Sequence, residues 1–155
     1  MKKNITIIVL ILSLFLLVGC NKDNKNDGSV KLHSIEELRE QFKDDMDVMI
    51  VEDKAVDSSD YQKANVSKKG SGYTIYTFEK DEHAKDFYDY YLKIYSSRKN
   101  DGDTENIKED VSYELITTDT YYYIMVDKNI MVAANCEISQ KDASIDLMKL
   151  TNYHE

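Results

Sequence analysis

Tyr121-Tyr122-Tyr123-Ile124-Met125-Val126-Asp127-Lys128-Asn129-Ile130-Met131-Val132-Ala133-Ala134-Asn135-Cys136 is two β-rich segments joined by a three-residue polar break. Branched and aromatic side chains fill both segments, as strands favour, and so short a break suits only antiparallel neighbours. A third such segment, residues 111–118, precedes them across Asp119-Thr120. The last third of the chain therefore predicts a three-stranded meander. Within it, Tyr121, Tyr123 and Met125 point to one side of their strand and Tyr122, Ile124 and Val126 to the other. Both sides are apolar, so one is expected to present aromatic surface outward, with Tyr121 and Tyr123 as candidate ligand-binding residues. Tyrosine joins a large face to one polar tip, which suits interfaces and sugar rings. The plain alternative is that β propensity alone places tyrosine on a solvated face.

Working outward, Ser139 with Asp142 three residues later marks the start of a final helix, whose Ile145, Leu147, Met148 and Leu150 supply an apolar face before Tyr153. Upstream, Asp81 can cap the longest helix, in which Ala84, Phe87, Tyr88, Tyr91, Leu92 and Tyr95 recur at helical spacing. That stripe reads as core packing, with an aromatic ligand box as the functional alternative. Between the two lies the charged stretch 96–110, long for a connector and so either functional or mobile. Residues 73–78 form a strand paired through the loop 68–72 with the weaker run Ala64-Asn65-Val66-Ser67. Val48-Met49-Ile50-Val51 has the length and branching of a further strand, and the polar stretch 52–60 connects it onward. A capping box, Ser34 with Glu37, opens a first helix over 35–43, with Ile35, Leu38 and Phe42 on its apolar face.

The order is helix, three strands, helix, three strands, helix. It predicts an α+β fold of two layers: a mainly antiparallel sheet of about six strands in two three-strand sets, with three helices mainly on one face. The halves look like two copies of a helix followed by three strands, with a closing helix.

The amino end is of another kind. Lys2 and Lys3 form a basic region, residues 5–18 are apolar, and the run closes on Leu17-Val18-Gly19-Cys20 before Asn21-Lys22-Asp23. The apolar run is shorter than the roughly 20 residues a membrane-spanning helix needs, and Leu17 is a poor third-position residue for ordinary signal cleavage. The four residues resemble the lipobox of a bacterial lipoprotein signal. That resemblance implies thioether lipidation of Cys20, cleavage after Gly19 and acylation of the new amino group. Residues 1–19 are then a signal peptide, residues 20–32 a flexible tether with almost nothing to bury, and residues 33–155 a single domain. Two or three acyl chains, each contributing about 0.8 kcal/mol per buried CH2, hold such a domain on the outer face of the cytoplasmic membrane. The stretch 123–134 with its closing helix, and the Ala84, Phe87, Tyr88 pattern spaced by Lys85 and Asp86, resemble uncharacterised small lipoproteins of low-GC Gram-positive bacteria. The resemblance implies a place in the cell envelope and no particular chemistry.

Charge narrows the partners. The full chain carries −9, and loss of Lys2 and Lys3 with the signal leaves 18 basic against 29 acidic side chains, or −11. Phosphate backbones and anionic surfaces repel such a domain, so no nucleic-acid partner is expected. With Cys20 lipidated, Cys136 is alone and reads as a small buried hydrophobe rather than half of a staple or a nucleophile. His33, His83 and His154 show no metal-ligand spacing, no glycine-rich phosphate loop is present, and Asp101-Gly102-Asp103-Thr104-Glu105 fails the calcium-loop pattern at Asn106 and Ser112. No catalytic residue, metal or cofactor is expected. The reading is a membrane-anchored, non-catalytic binding or accessory domain for a protein or cell-wall partner. The alternatives are a small-ligand receptor, which would need a concave pocket near Tyr121 and Tyr123, and an immunity-like or inhibitor protein.

Overall fold

The computed structural model of the chain describes residues 32–53, 61–108 and 111–154. In order these form α1 (Ile35–Gln41), β1 (Val48–Glu52), β2 (Tyr61–Lys68), β3 (Ser71–Phe78), α2 (Asp81–Ser96), β4 (Thr104–Lys108), β5 (Ser112–Ile116), β6 (Thr120–Asp127), β7 (Ile130–Glu137), a 3-10 turn (Ile138–Gln140) and α3 (Lys141–Leu150). The residues read as a signal peptide, Cys20 and nearly all of the expected tether lie outside the described residues. Leu32, assigned to the tether, is 3% exposed and belongs to the core.

The strands form one antiparallel sheet in the order β1-β2-β3-β7-β6-β5-β4. The α+β class and the antiparallel sheet are as the sequence predicts; the strand number is seven rather than six. β4 is the addition, and it falls inside the stretch 96–110 read as a charged loop. Its residues Thr104-Glu105-Asn106-Ile107-Lys108 are mostly exposed, so no apolar alternation announces it. Cross-strand polar pairs with β5 hold it. Asn106 Nδ2 donates to Glu114 Oε2 at 2.7 Å, and the Tyr113 hydroxyl to Glu105 Oε1 at 2.9 Å.

The ladders β2–β3 and β6–β7 are full hairpins, from Tyr61↔Phe78 to Lys68↔Ser71 and from Thr120↔Glu137 to Asp127↔Ile130. The first turns through Lys69 and Gly70, both with positive φ of 51° and 85°, the backbone a tight two-residue connection needs. The second is pinned to β3: the Phe78 amide donates to the Asn129 carbonyl at 2.8 Å and Asn129 Nδ2 donates to the Phe78 carbonyl at 2.7 Å. β3 and β7 thus meet at the centre of the sheet.

Helices cover both faces, which corrects the two-layer expectation. On one face, Ile35 and Leu38 of α1 and Leu147 and Met148 of α3 pack with Val66, Tyr73, Ile75 and Val132. On the other, Ala84, Tyr88 and Tyr95 of α2 pack with Tyr76, Tyr113, Ile124 and Met131. The cause is visible in β6, whose side chains are buried on both sides from Tyr121 to Val126. Nor are the halves copies of one another: one has three strands and the other four, and α1 and α2 lie on opposite faces.

Local capping follows the sequence at α1 only. Ser34 Oγ accepts from the Glu37 amide at 3.2 Å and the Ser34 amide donates to Glu37 Oε2 at 2.7 Å. Asp81 is the first residue of α2 rather than its cap, Lys80 holding that position, and the chain reaches α3 through the 3-10 turn, with Gln140 rather than Ser139 at its cap.

Candidate functional site

The aromatic surface expected at Tyr121 and Tyr123 is not on the outside. Tyr121 is 0% and Tyr123 6% exposed, their rings stacked 6.4 Å apart at 9° beneath the chain's carboxyl end. The His154 ring lies 4.8 Å from that of Tyr123, and His154 Nε2 is 3.8 Å from Glu114 Oε1. His154 holds the Glu114 carboxyl down to about 2, against burial and with help from the Asn106 amide. The Tyr121 hydroxyl lies near enough to feel that carboxylate, without a hydrogen bond of good geometry. This cluster of carboxylate, imidazole and phenol joins residues far apart in sequence, with no periodicity to signal it. It serves to seal the core under the tail.

The other two histidines do not join it. His33 meets the Asn152 side chain at 3.0 Å, and His83 lies near Glu82 on α2. Among the described residues no three of His, Cys, Asp and Glu are grouped to hold a metal ion. The turn 100–103 is closed by its own side chain, the Asn100 amide donating to Asp103 Oδ2 at 2.8 Å. Cys136 is half-buried, and burial pushes its thiol up, away from the reactive thiolate. No helix among the described residues is long and apolar enough to cross a membrane.

A concave feature lies on the opposite face, beside α2. That helix packs mainly along β6, β7, β3 and β5, reaches β2 at Tyr61 through Phe87, and leaves Asn65 of β2 and Met49 of β1 exposed. The result is an open groove of about 690 Å3, within the roughly 300–1,000 Å3 of ligand clefts. Tyr90, Tyr91, Ile94 and Tyr95 of α2, with Arg98 just past its end, form one wall; Asn65, Thr74, Tyr76, Ala133 and Asn135 form the floor. The floor is built by register. Val51↔Asn65, Asn65↔Thr74 and Thr74↔Ala133 set one row of side chains across four strands on the α2 face. Thr74 Oγ1 donates to Asn65 Oδ1 at 2.9 Å, which orients that amide with its N–H donors directed elsewhere.

The wall is a chain of touching rings. Tyr91 stands edge-on to Tyr95 at 5.6 Å and to Tyr90 at 5.9 Å, and its hydroxyl meets that of Tyr76 at 3.1 Å. Burial holds the Tyr76 and Tyr95 hydroxyls well above the usual phenol range, so they act as neutral hydrogen-bonding groups. Tyr90 is 59% exposed and Met49, at the rim on β1, 61%. The helical stripe read as core packing is therefore core at Ala84, Tyr88 and Tyr95, with the buried Tyr95 also lining the groove, and half-buried groove wall at Tyr91. Arg98, Asn65 and Asn135 were not anticipated. The signal that could have found the two asparagines is their place inside strands, where asparagine is disfavoured unless something uses it.

No protein-family model matches the chain, and comparisons with curated proteins and with solved structures return no match.

Proposed function

We propose that this chain is a lipid-anchored, non-catalytic binding domain of the cell envelope, tethered through Cys20, and that it takes a cell-wall partner in the groove beside α2. One observation carries the binding reading: the groove sets the exposed ring of Tyr90 and the half-buried ring of Tyr91 beside a floor of amide and hydroxyl side chains. Rings give contact area at low entropic cost, and amides and hydroxyls fix orientation. The anchoring rests on the run Leu17-Val18-Gly19-Cys20, and the −11 of the mature chain would keep the domain off the anionic membrane surface.

The test is co-sedimentation of the full-length chain, kept in mild detergent, with purified insoluble cell wall, beside the variant Asn135→Trp. Asn135 is exposed in β7, and an indole there fills the groove without entering the core. Retention of the native chain and its loss in the variant, with an unchanged far-ultraviolet spectrum, is the expected result. Equal retention of both moves the partner to another surface, and no retention of either overturns the wall-partner reading.

A further inference from the structure

The charge of the groove is unlike that of the molecule. The chain has 29 acidic residues, yet among the described residues that line the groove none is Asp or Glu, and Arg98 is the sole cation. Arg98 follows the end of α2, its guanidinium 5.6 Å from the centre of the Tyr122 ring, and it makes no ion pair with a described residue. Most other cations have carboxylates at hand: Lys63 meets Asp53, Lys68 meets Asp45 and Lys99 meets Glu105. A guanidinium resting on an aromatic face keeps its fork of donors for an incoming carboxylate.

The floor narrows the class of ligand. It is the face of a sheet, not its edge, so its backbone groups are spent in the ladders between β1, β2, β3 and β7. An extended peptide cannot add as a strand there; recognition falls to side chains. Those on offer are rings for stacking, the Asn65 and Asn135 amides, which both donate and accept, the Thr74 hydroxyl, and apolar Ile94 and Ala133 that can receive a methyl group. That set matches a sugar chain bearing N-acetyl groups, hydroxyls and a carboxylate.

Building on the groove reading above, we propose that the ligand is a carboxylate-bearing, N-acetylated amino-sugar chain, its rings on Tyr90 and Tyr91 and its carboxylate on Arg98. The experiment is calorimetric titration of the full-length chain in detergent with two probes. One is a soluble tetrasaccharide alternating N-acetylglucosamine and N-acetylmuramic acid; the other is the neutral N-acetylglucosamine tetramer. The acidic probe is expected to bind about tenfold more tightly, the worth of one charge-assisted hydrogen-bonded contact. Arg98→Gln should erase that preference, and Arg98→Lys should restore part of it. Equal affinity for both probes, or a preference that survives Arg98→Gln, overturns the role of Arg98 and leaves the groove reading in place. Binding of neither probe, with wall retention still sensitive to Asn135→Trp, overturns the sugar class alone; binding of neither, with no wall retention, overturns both.

Discussion

The Tyr153 ring stands edge-on to the Tyr73 ring, centroids 5.3 Å apart at 84°. Around this pair the Tyr73 hydroxyl donates to Thr151 Oγ1 at 3.0 Å and the Tyr153 hydroxyl donates to the His33 carbonyl. The carboxyl end is thereby stitched to β3 and to the start of α1. Tyr153 is fully buried, so Tyr153→Ala is expected to cost about 3–5 kcal/mol, as truncation of a buried aromatic does. Tyr73→Phe should cost about 1 kcal/mol, one neutral hydrogen bond. Urea unfolding measures both, and a Tyr153→Ala loss below that of Tyr73→Phe would show that the tail does not close the core.

Acid should loosen the same end of the molecule. The Glu114 carboxyl is held at about 2 in the folded chain, against about 4.3 for a free glutamate. Between those values the unfolded chain binds the extra proton. The stabilisation is therefore complete above about pH 5 and lost as the pH falls toward 2. Because His154 stands 3.8 Å away rather than at hydrogen-bond distance, the lower part of the range is expected, roughly 1–2 kcal/mol. Glu114→Gln should flatten this part of the pH–stability curve, and native and variant curves that stay parallel from pH 5 to 2 would contradict the assignment.

Two glycines of the β2–β3 hairpin should differ in a set direction. A Cβ on Gly72 would sit 2.5 Å from the Val66 carbonyl oxygen, a backbone atom held in the ladder, whereas one on Gly70 meets nothing but strains a φ of +85°. Gly72→Ala is expected to cost about 2–3 kcal/mol by overpacking and Gly70→Ala about 1 kcal/mol. Thermal unfolding ranks them; the reverse order would mean that the hairpin bends to make room.

The proposed anchor is checked by processing. Cys20→Ala should leave an uncleaved, unlipidated precursor, since a lipobox offers its cysteine as the only acceptor. Normal mobility and membrane retention of the variant in a fractionation blot would remove the anchoring from the account.

The meander 112–137 and the capping box at Ser34 were legible because hydrophobic spacing and cap chemistry act over a few residues. β4 was not legible: its pairing is earned by side chains of β5 and by ladder hydrogen bonds, and its own exposed residues carry no alternation. The burial of Tyr121 and Tyr123 also escaped the sequence. Two apolar sides on one strand fit either an outward aromatic face or cover on both faces, and the cover comes from α1, α3 and the tail. For the groove, the sequence holds the tyrosines of α2 at helical spacing, but Asn65, Arg98 and Asn135 come together only through strand register and the place where α2 ends.

The most direct measurement is amide chemical-shift mapping of the isotope-labelled full-length chain, in micelles, on addition of enzymatically solubilised cell-wall glycan. The largest shifts are expected at Asn65, Thr74, Tyr91, Arg98 and Asn135, along the groove between α2 and the sheet. Shifts centred on Tyr121, Tyr123 and His154 on the opposite face, or no shifts at saturating glycan, would contradict the groove reading.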